Sequence, residues 1–451
     1  MTQRLVIIGG DAAGMTAATQ VRRMKTVSEL EIVVFERSSR TSYSACGLPY
    51  LVAGIVPSPD SLIARTPAQH RDKGIDVRTL HEVIGIDVKA STVTVRDLDT
   101  GLASAVHYDE LLIGTGASGI SPRWPGIDAE GVLQLRTLDD AAEVERLLLA
   151  GARRAVVVGA GYIGLEVAEG LLKRGLQVTV VERLDTPMGA VLDADMATQV
   201  AGAMRAAGID LRLGTAVTGF TVVRGRVTAV ETAAGPLDAD IVVIGLGVSP
   251  NTELARAAGI GLGAFNGIKV DDHMRTDRPH IWAAGDCVES HHRMTGQSVL
   301  VALGTHANKQ GRVVGTNIAG GDASFGGVLG TAITSFQEME IARTGLTERE
   351  AMAAGFQALG VTTEASSRAH YYPGAQPMKI KLVVESGTGR LLGAQIVGGA
   401  GAGKRIDVLA TALWNRMTVA EVADMDLSYA PPFSPVWDPV LLAAGRAAAT
   451  V

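Results

Sequence analysis

The sequence predicts an α/β protein with two Rossmann-like domains followed by a C-terminal α+β domain. Two segments, residues 4–36 and 154–182, repeat one order: a hydrophobic strand, a glycine-rich turn, a helix and a second strand that ends in a glutamate. That order is typical of parallel sheets covered by helices. From Gly326 onward the pattern changes to paired strands and a helix. A chain of 451 residues is long enough for two or three such cores.

Composition limits the partners that we expect. The 41 basic and 47 acidic residues give a net charge of −6 without long runs, which argues against nucleic acid and against a polybasic membrane patch. No apolar run reaches the ~18 residues of a membrane helix. The apolar N-terminus is better explained by a strand that enters a glycine turn than by a signal peptide. Two cysteines cannot form a disulfide scaffold, which indicates a reducing, cytoplasmic setting. We expect no metal site.

The first glycine turn follows a buried parallel strand at residues 4–8 and precedes a helix-like run at 15–24. Its sequence is Gly9-Gly10-Asp11-Ala12-Ala13-Gly14, and Glu36 ends the next strand 22 residues after Gly14. This is close to the dinucleotide-binding fingerprint, in which glycines make the turn, a helix N-terminus binds pyrophosphate and an acid binds the ribose hydroxyls. Asp11 replaces the middle glycine and brings a carboxylate near the phosphate site, so we expect its side chain to point away.

The second glycine turn matches the fingerprint fully. The strand at residues 154–158 leads into Gly159-Ala160-Gly161-Tyr162-Ile163-Gly164, and the helix that follows contains Glu166. The next strand ends at Glu182, 18 residues after Gly164. Two such units predict two dinucleotides or one duplicated fold. The Glu182 carboxylate can accept from both ribose hydroxyls and repels a 2′-phosphate, which favours NADH, while the adjacent Arg183 leaves NADPH possible.

Three further strands indicate where the chain changes domain. Residues 111–117 form a strand that ends in glycines, where the chain leaves the first domain, and residues 241–251 bring it back. Residues 281–286 indicate a short strand, a glycine and Asp286 at a helix start, where an aspartate can accept from a polyol hydroxyl. The predicted domains are residues 1–118 with 247–325, residues 119–246, and residues 326–451.

The C-terminal part carries a hairpin signal. Residues 382–385 and 391–397 are strand-like and flank Ser386-Gly387-Thr388-Gly389. Residues 400–416 indicate a helix, and the tail at 429–439 is rich in proline and aromatic residues. We therefore expect a mixed α+β domain with a rigid tail.

One stretch, Ser42-Tyr43-Ser44-Ala45-Cys46-Gly47-Leu48-Pro49-Tyr50, holds one of the two cysteines. Small and turn-forming residues around the sulfur suit a helix start close to a flat ligand. A helix N-terminus lowers the pKa of a thiol and favours the thiolate. The alternative is a small buried side chain, as for most lone cysteines. We expect that packing role for Cys287, which follows Asp286.

These residues carry a resemblance that extends from Leu5 through the tail. The chain resembles the flavin-dependent pyridine nucleotide-disulfide oxidoreductases, and within them the single-cysteine branch that contains coenzyme A-disulfide reductases and NADH oxidases or peroxidases. The specific matches are the Cys46 stretch, Gly285-Asp286 and the aromatic Tyr429-x-Pro431-Pro432 tail. The resemblance implies FAD on the first unit and at Gly285-Asp286, NAD(P)H on the second unit, and a C-terminal dimerisation domain.

The resemblance also implies roles for individual residues. The implied cofactor-binding residues are Gly9, Gly10, Ala13, Gly14, Glu36, Arg37, Ser44, Thr115, Gly116, Gly285, Asp286, Gly159, Gly161, Tyr162, Ile163, Gly164, Glu166, Glu182, Arg183 and Gly247. Gln20, Arg23 and Ser42 are implied on the coenzyme A side, although a solvated helix face explains Arg22 and Arg23 equally well.

Two-cysteine members of the family need a partner thiol and a C-terminal His-Glu pair, and this tail has no His-Pro motif. Cys46 is therefore expected to cycle through a mixed disulfide with a small thiol, or through a sulfenic acid. Peroxidases of the branch carry a histidine in the first glycine loop, where this chain has Asp11-Ala12-Ala13, so peroxidase activity is disfavoured. We expect NADH to reduce FAD, with Tyr162 moving aside, and the reduced flavin to cleave the Cys46–S–S–CoA bond.

A tyrosine is expected to protonate the departing thiol. The candidates are Tyr371, Tyr372 and Tyr429, for which core packing is the alternative. In the family this domain lies across a two-fold interface, so we expect a homodimer in which these tyrosines reach Cys46 of the other subunit. Alternatives to a disulfide reductase are an oxidase or a quinone or persulfide reductase on the same flavin scaffold, and a non-enzymatic electron carrier or redox sensor.

Overall fold

The computed structural model describes residues 2–451, and the chain forms two units. The first unit runs up to Gly47 and includes Ser58–Ile120 and Val248–Val328. The second consists of Leu48–Pro57, Ser121–Gly247 and Leu329–Val451. The division of the chain into three domains stays a prediction.

A five-stranded parallel sheet forms the core of the first unit. In spatial order its strands are Ile281–Ala283, Glu110–Ile113, Gln3–Ile8, Leu30–Phe35 and Asp76–Arg78. The central strands are hydrophobic and buried, as expected for a sheet with helices on both faces. The strands predicted in this region are thereby confirmed, although the third ends at Ile113, before its glycines.

Smaller elements complete the first unit. Its other strands are His81–Asp87, Thr92–Asp97 and Ala103–His107, which form an antiparallel meander, together with the pairs Ala117–Gly119 with Val248–Pro250 and Ser290–His291 with Ser298–Val299. Its helices are Ala12–Met24, Pro67–Arg71, Glu253–Ala257 and Gly304–Ile318, with 3-10 turns at Ala45–Gly47 and Pro59–Leu62.

Two helices of the first unit approach each other closely. Added at Gly311, a Cβ atom would lie 2.3 Å from the carbonyl oxygen of Ala13. At Gly315 it would lie 2.6 Å from that of Ala17. Glycines on the helix Gly304–Ile318 therefore let it lie against the helix that follows the first glycine turn.

The expectation that Asp286 begins a helix is wrong. After the strand Ile281–Ala283 the chain turns, and the next helix begins only at Gly304. Gly285 has a φ of 89°, and its N–H donates to Oε1 of Gln310 at 2.8 Å. That left-handed conformation ends regular structure at this point.

The second unit contains a parallel sheet with the same arrangement around its central strand. In spatial order its strands are Asp210–Arg212, Gln177–Val181, Arg154–Val158, Ile241–Ile244 and Val132–Leu133. An antiparallel sheet follows at Val217–Val223, Arg226–Thr232 and Leu237–Asp238. The helices of this part are Leu48–Val52, Leu138–Leu149, Tyr162–Lys173 and Ala194–Ala206. The predicted second strand–turn–helix unit is confirmed.

The C-terminal part of the second unit is an antiparallel sheet with helices. In spatial order its strands are Ala332–Phe336, Met339–Gly345, Leu391–Gly398, Pro377–Glu385 and Ala358–Ser366. Its helices are Glu348–Ala353, Ala402–Trp414, Val419–Ala423 and Pro439–Ala448. The predicted hairpin is confirmed, and the helix expected at 400–416 begins after Gly401, whose φ is 91°.

Two negative findings concern the described part of the chain. None of its helices is both long and apolar enough to cross a membrane. Nor do residues 2–451 contain a group of three or more His, Cys, Asp or Glu that could hold a metal ion.

Candidate active site

The two glycine turns have nearly the same geometry. Gly9 and Gly159 both have a φ of 102°. Added at Gly9, a Cβ atom would lie 2.2 Å from the carbonyl oxygen of Gly114. One added at Gly159 would lie 2.5 Å from that of Gly245. Both positions therefore require glycine, for conformation and for space.

The last glycine of each turn brings the helix against the strand. At Gly14 a Cβ atom would lie 2.1 Å from the carbonyl oxygen of Gly9. At Gly164 the corresponding distance, to Gly159, is 2.0 Å. Because the helix packs closely on the strand, the first turn of each helix lies at the carboxyl end of the strand that precedes it.

The two glutamates at the strand ends are held by backbone donors. Oε2 of Glu36 accepts from the N–H of Gly10 at 2.8 Å, and Oε1 accepts from that of Ser38 at 2.8 Å. Oε2 of Glu182 accepts in the same way from the N–H of Ala160 at 2.8 Å. Each carboxylate therefore lies beside its own glycine turn.

The two turns differ at their third position, where Asp11 corresponds to Gly161. A Cβ at Gly161 would meet no atom within 4 Å, which leaves open space in front of the helix Tyr162–Lys173. Asp11 occupies this position of the first turn, and burial, then Glu36 and Asp286, raise its pKa to about 6.

Neither helix has a side-chain hydrogen bond at its N-cap. The N–H groups of each first turn are therefore suited to a phosphate group, as a bound dinucleotide requires. With a glutamate beside each glycine turn, the residues present fit FAD in the first unit and NAD(P)H in the second.

The other predicted FAD residues lie at the ends of nearby strands. Oγ1 of Thr115 donates to the carbonyl of Asn251 at 2.6 Å. Gly116 has a φ of 66°, and its carbonyl accepts from the N–H of Asn251 at 3.0 Å. Two further FAD residues, Arg37 and Ser44, are exposed, and so is Arg183, which is predicted at the NAD(P)H unit. Gly247 is also exposed, with a φ of 90°.

Tyr162 and Ile163 open the helix of the second turn. Burial raises the pKa of Tyr162 to about 12, and Arg343 and Glu350 also act on it. Sequence reasoning missed Arg343 and Glu350, because they lie on a strand and a helix far along the chain from Tyr162. The carboxyl of Glu166 accepts from Oγ1 of Thr334 at 2.8 Å, and burial raises its pKa.

Cys46 is exposed and lies in the 3-10 turn Ala45–Gly47. The expected helix start is displaced, since the helix Leu48–Val52 begins after this turn and has only five residues. The turn is anchored within its own unit, where the N–H of Ser44 donates to the carbonyl of Leu62 at 2.8 Å. Cys287, in contrast, is fully buried, and burial raises the pKa of its thiol. Its predicted packing role is confirmed.

The three residues predicted on the coenzyme A side have different surroundings. Ser42 has a φ of 53°, and its Oγ lies 3.0 Å from Nε2 of His70. Nε2 of Gln20 donates to Oγ1 of Thr316 at 3.2 Å. Arg23 is exposed, whereas the guanidinium of Arg22 donates to three backbone carbonyls. These hydrogen bonds give Arg22 a structural role, whereas the Arg23 side chain remains accessible to a ligand.

The predicted tyrosines belong to the second unit, whereas Cys46 belongs to the first. Tyr371 is 66% exposed and Tyr429 is 47% exposed. The nearby hydroxyl of Tyr371 raises the pKa of Tyr429. Tyr372 lies instead beneath Arg368, whose Cζ is 6.0 Å from the ring centroid.

Comparison with known families gives two matches. Residues 3–311 match the model of the pyridine nucleotide-disulphide oxidoreductases. Residues 331–439 match the dimerisation domain of the same family.

Similar proteins extend along almost the whole chain. An NADH oxidase of Methanocaldococcus jannaschii is 38% identical over 443 residues, 98% of each chain. An NAD(P)H coenzyme A polysulfide/persulfide reductase of Pyrococcus horikoshii is 38% identical over 446 residues, 98% of each chain. A coenzyme A disulfide reductase of Staphylococcus aureus is 34% identical over 439 residues, 96% of each chain.

A solved structure of an NAD-dependent persulfide reductase from A. fulgidus is also similar. It matches with a TM-score of 0.97 and 40% sequence identity. The match covers 99% of this chain and 83% of that one.

Proposed function

The chain belongs to the pyridine nucleotide-disulphide oxidoreductase family, and from that premise we propose that it reduces coenzyme A disulfide through Cys46. It is an NAD(P)H-dependent flavoenzyme with FAD as its second cofactor. One observation carries the choice of Cys46: of the two cysteines, it is exposed whereas Cys287 is buried.

In the proposed reaction, the thiolate of Cys46 attacks one sulfur of the substrate disulfide. A Cys46–S–S–CoA bond forms, the substrate S–S bond breaks, and one coenzyme A leaves as a thiolate that takes up a proton. When bound, FAD supplies the two electrons from NAD(P)H that reduce the mixed disulfide and free the second coenzyme A. Cys46 alone forms bonds to the substrate.

The residues that hold the cofactors are part of the proposal. FAD would be held by the first glycine turn with Glu36, Thr115, Gly116 and Asp286. The nicotinamide nucleotide would be held by the second turn with Tyr162, Glu166 and Glu182, and NADH would be preferred because the Glu182 carboxylate can accept from ribose hydroxyls and repels a 2′-phosphate. Support comes from the two fixed carboxylates and from the open space at Gly161.

The proton donor and the assembly are also proposed. We place Tyr371 and Tyr429 of one subunit at Cys46 of the other in a homodimer. The match to a dimerisation domain, the exposure of both rings and the effect of Tyr371 on the pKa of Tyr429 support this arrangement. Tyr372 is the less favoured donor, because Arg368 lies over one face of its ring and its exposed fraction, 37%, is the lowest of the three tyrosines. A cytoplasmic location, expected from the small number of cysteines, belongs to the same proposal.

The test compares purified parent protein with Cys46→Ser. Both are expected to be yellow and to retain FAD, but only the parent should oxidise NADH when coenzyme A disulfide is added. Cys287→Ala is the matched control and should retain turnover. If Cys46→Ser reduces coenzyme A disulfide at the parent rate, the assignment is wrong.

A second candidate is favoured by the similarity to an NADH oxidase and to persulfide reductases. The same purified protein is therefore supplied with coenzyme A persulfide, a quinone or oxygen in place of the disulfide. Thiol-independent oxygen consumption that survives Cys46→Ser would identify an oxidase. No steady NADH turnover with any acceptor would identify a non-enzymatic redox sensor.

A further inference from the structure

The first unit contains a buried histidine that the proposed reaction does not use. His70 lies on the helix Pro67–Arg71, is 1% exposed, and places Nε2 3.0 Å from Oγ of Ser42. Its Nδ1 is also buried and has no hydrogen-bond partner. A buried polar atom without a partner costs free energy and needs an explanation.

The imidazole of His70 is neutral. Burial, and then the nearby cations Arg65 and Lys73, lower its pKa to about 4. A neutral imidazole carries one proton, on Nδ1 or on Nε2. On Nδ1 the proton would be a buried donor without an acceptor, which folded proteins rarely contain. The proton therefore lies on Nε2, and this N–H donates to Oγ of Ser42.

The hydroxyl proton of Ser42 consequently points away from His70. Oγ of Ser42 also lies 3.4 Å from Oγ1 of Thr41, a long contact, and Thr41 donates its own proton to the carbonyl of Gly10. A hydroxyl that accepts from an N–H becomes a stronger donor, because linked hydrogen bonds polarise one another. Ser42 is thus suited to donate to an anion.

Two hydrogen bonds hold the backbone of Ser42 in place. The carbonyl of Ser42 accepts from the N–H of Ala64 at 2.8 Å, and its N–H donates to the carbonyl of Gly10 at 3.2 Å. The left-handed φ of 53° is unusual for a residue other than glycine and persists only where the surroundings determine it.

The cysteine follows Ser42 through two tight turns. The N–H of Ala45 donates to the carbonyl of Tyr43 at 3.2 Å, and that of Gly47 to the carbonyl of Ser44 at 2.8 Å. Because these turns bend the chain back, they shorten the span between Ser42 and the exposed Cys46.

We propose that His70 is a positioning residue that holds the Ser42 hydroxyl as a hydrogen-bond donor to the thiolate of Cys46. This inference rests on the proposed function only in that Cys46 reacts as a thiolate. A donor to the anionic sulfur stabilises thiolate over thiol, and so makes Cys46 a nucleophile at lower pH.

The experiment measures alkylation of Cys46 by iodoacetamide in the FAD-loaded holoenzyme, from about pH 5 to about pH 10, because the rate follows the thiolate fraction. Cys46→Ser supplies the blank for any reaction at Cys287. The variants are His70→Phe, which removes the N–H, His70→Gln, which keeps an amide N–H near the position of Nε2, and Ser42→Ala. Flavin content and thermal unfolding are recorded for each variant.

His70→Phe and Ser42→Ala should each slow alkylation at neutral pH by roughly tenfold, the factor expected for one lost hydrogen bond to a charged group, and move the profile to higher pH. His70→Gln should restore most of the rate. The double variant His70→Phe/Ser42→Ala should be no slower than either single variant, since both act on the same hydrogen bond to the sulfur.

An unchanged profile in His70→Phe, an equal loss in His70→Gln, or additive losses in the double variant would overturn the proposal. If His70→Phe loses flavin or cooperative unfolding, Ser42→Ala and His70→Gln decide the matter. A parent holoenzyme that fails to reduce coenzyme A disulfide, yet shows the histidine-dependent shift, refutes the proposed substrate and leaves the role of His70 in place.

Discussion

Glu182 and Ala160 are joined by a hydrogen bond of 2.8 Å, from the backbone N–H of Ala160 to Oε2 of the carboxylate. Oε1 of the same side chain accepts from the N–H of Leu184 at 2.8 Å. Two backbone donors thus fix the carboxylate at the end of the strand Gln177–Val181, next to the open space at Gly161. A negative charge fixed in this place accepts readily from a ribose hydroxyl and repels a phosphate on that ribose.

We expect Glu182→Ser to change the nucleotide preference. The ratio of kcat/KM for NADH to that for NADPH should fall by roughly 10- to 100-fold, because hydrogen bonds to a charged group contribute about 1.5–3 kcal/mol. Steady-state kinetics with both nucleotides measure the ratio. Asp210→Ser is the control, since Asp210 pairs with Arg212 at 2.8 Å in the neighbouring strand, and it should leave the ratio unchanged. A parent enzyme that already prefers NADPH strongly would contradict the role of Glu182.

Asp11 gives a pH-dependent prediction for the cofactor-free protein. Its pKa is raised from 3.8 to about 6, first by burial and then by Glu36 and Asp286. In the unfolded chain it ionises near the ordinary value, so its destabilising effect is absent below about pH 4, grows as the pH rises, and is complete above about pH 6. Asp11→Asn should therefore stabilise the protein at neutral pH, by on the order of 1–3 kcal/mol, and have little effect near pH 4.

Urea unfolding at several pH values measures this difference. Asp97→Asn is the control of opposite sign, because backbone N–H groups of Thr100 and Asp99 lower the pKa of Asp97. That variant should lose stability at neutral pH and not in acid. A pH-independent effect of Asp11→Asn would show that its carboxyl titrates normally.

Lys381 gives a stability prediction for the second unit. Its side chain is 8% exposed and pairs with Asp195 at 2.9 Å, Glu348 at 3.0 Å and Asp193 at 3.3 Å. Lys381→Met removes the cation that pairs with all three carboxylates and leaves them close together, so we expect a loss of about 3–5 kcal/mol, as for other broken buried pairs. Denaturant unfolding measures the loss.

The matched control is Lys404→Met, because Lys404 is 81% exposed and pairs with Asp407 on the same helix. It should change stability by less than about 1 kcal/mol. Equal effects of the two variants would mean that the Lys381 group contributes no more than a surface pair.

Local patterns made the first and second glycine turns predictable. Gly9 and Gly159 are required by their own backbone conformation and by one neighbouring carbonyl each, so the turn is encoded in a short stretch of sequence. Asp286 was misplaced because the left-handed Gly285 turns the chain, and no residue pattern distinguishes that turn from a helix start.

Long-range pairs were not predictable in the same way. His70 meets Ser42 through a helix and a loop whose packing no periodicity records, and Arg343 reaches the region of Tyr162 from a different sheet. The strand Met339–Gly345 contains charged residues and lacks regular alternation, and it is a strand because its backbone pairs with Leu391–Gly398. In each case tertiary contacts determine the outcome.

The final prediction concerns the homodimer. Tyr429→Phe removes the hydroxyl whose pKa Tyr371 raises, and we expect it to abolish most disulfide reduction without releasing FAD. Tyr371→Phe should have a similar effect. Tyr372→Phe is the matched control and should be milder, because the ring of Tyr372 lies beneath Arg368.

If each active site uses Cys46 of one subunit and Tyr429 of the other, two inactive parents can restore one another. Cys46→Ser and Tyr429→Phe proteins are mixed under conditions of subunit exchange, and exchange is verified by mass-tagged subunits. A heterodimer then holds one site with both the thiol and the hydroxyl intact, while its other site lacks both. Randomly mixed equal amounts give half of the dimers as heterodimers, so activity should approach a quarter of the parent value. Sites built within one chain cannot be restored by mixing, so no recovery despite verified exchange, or an active monomer by sedimentation, would refute the shared site.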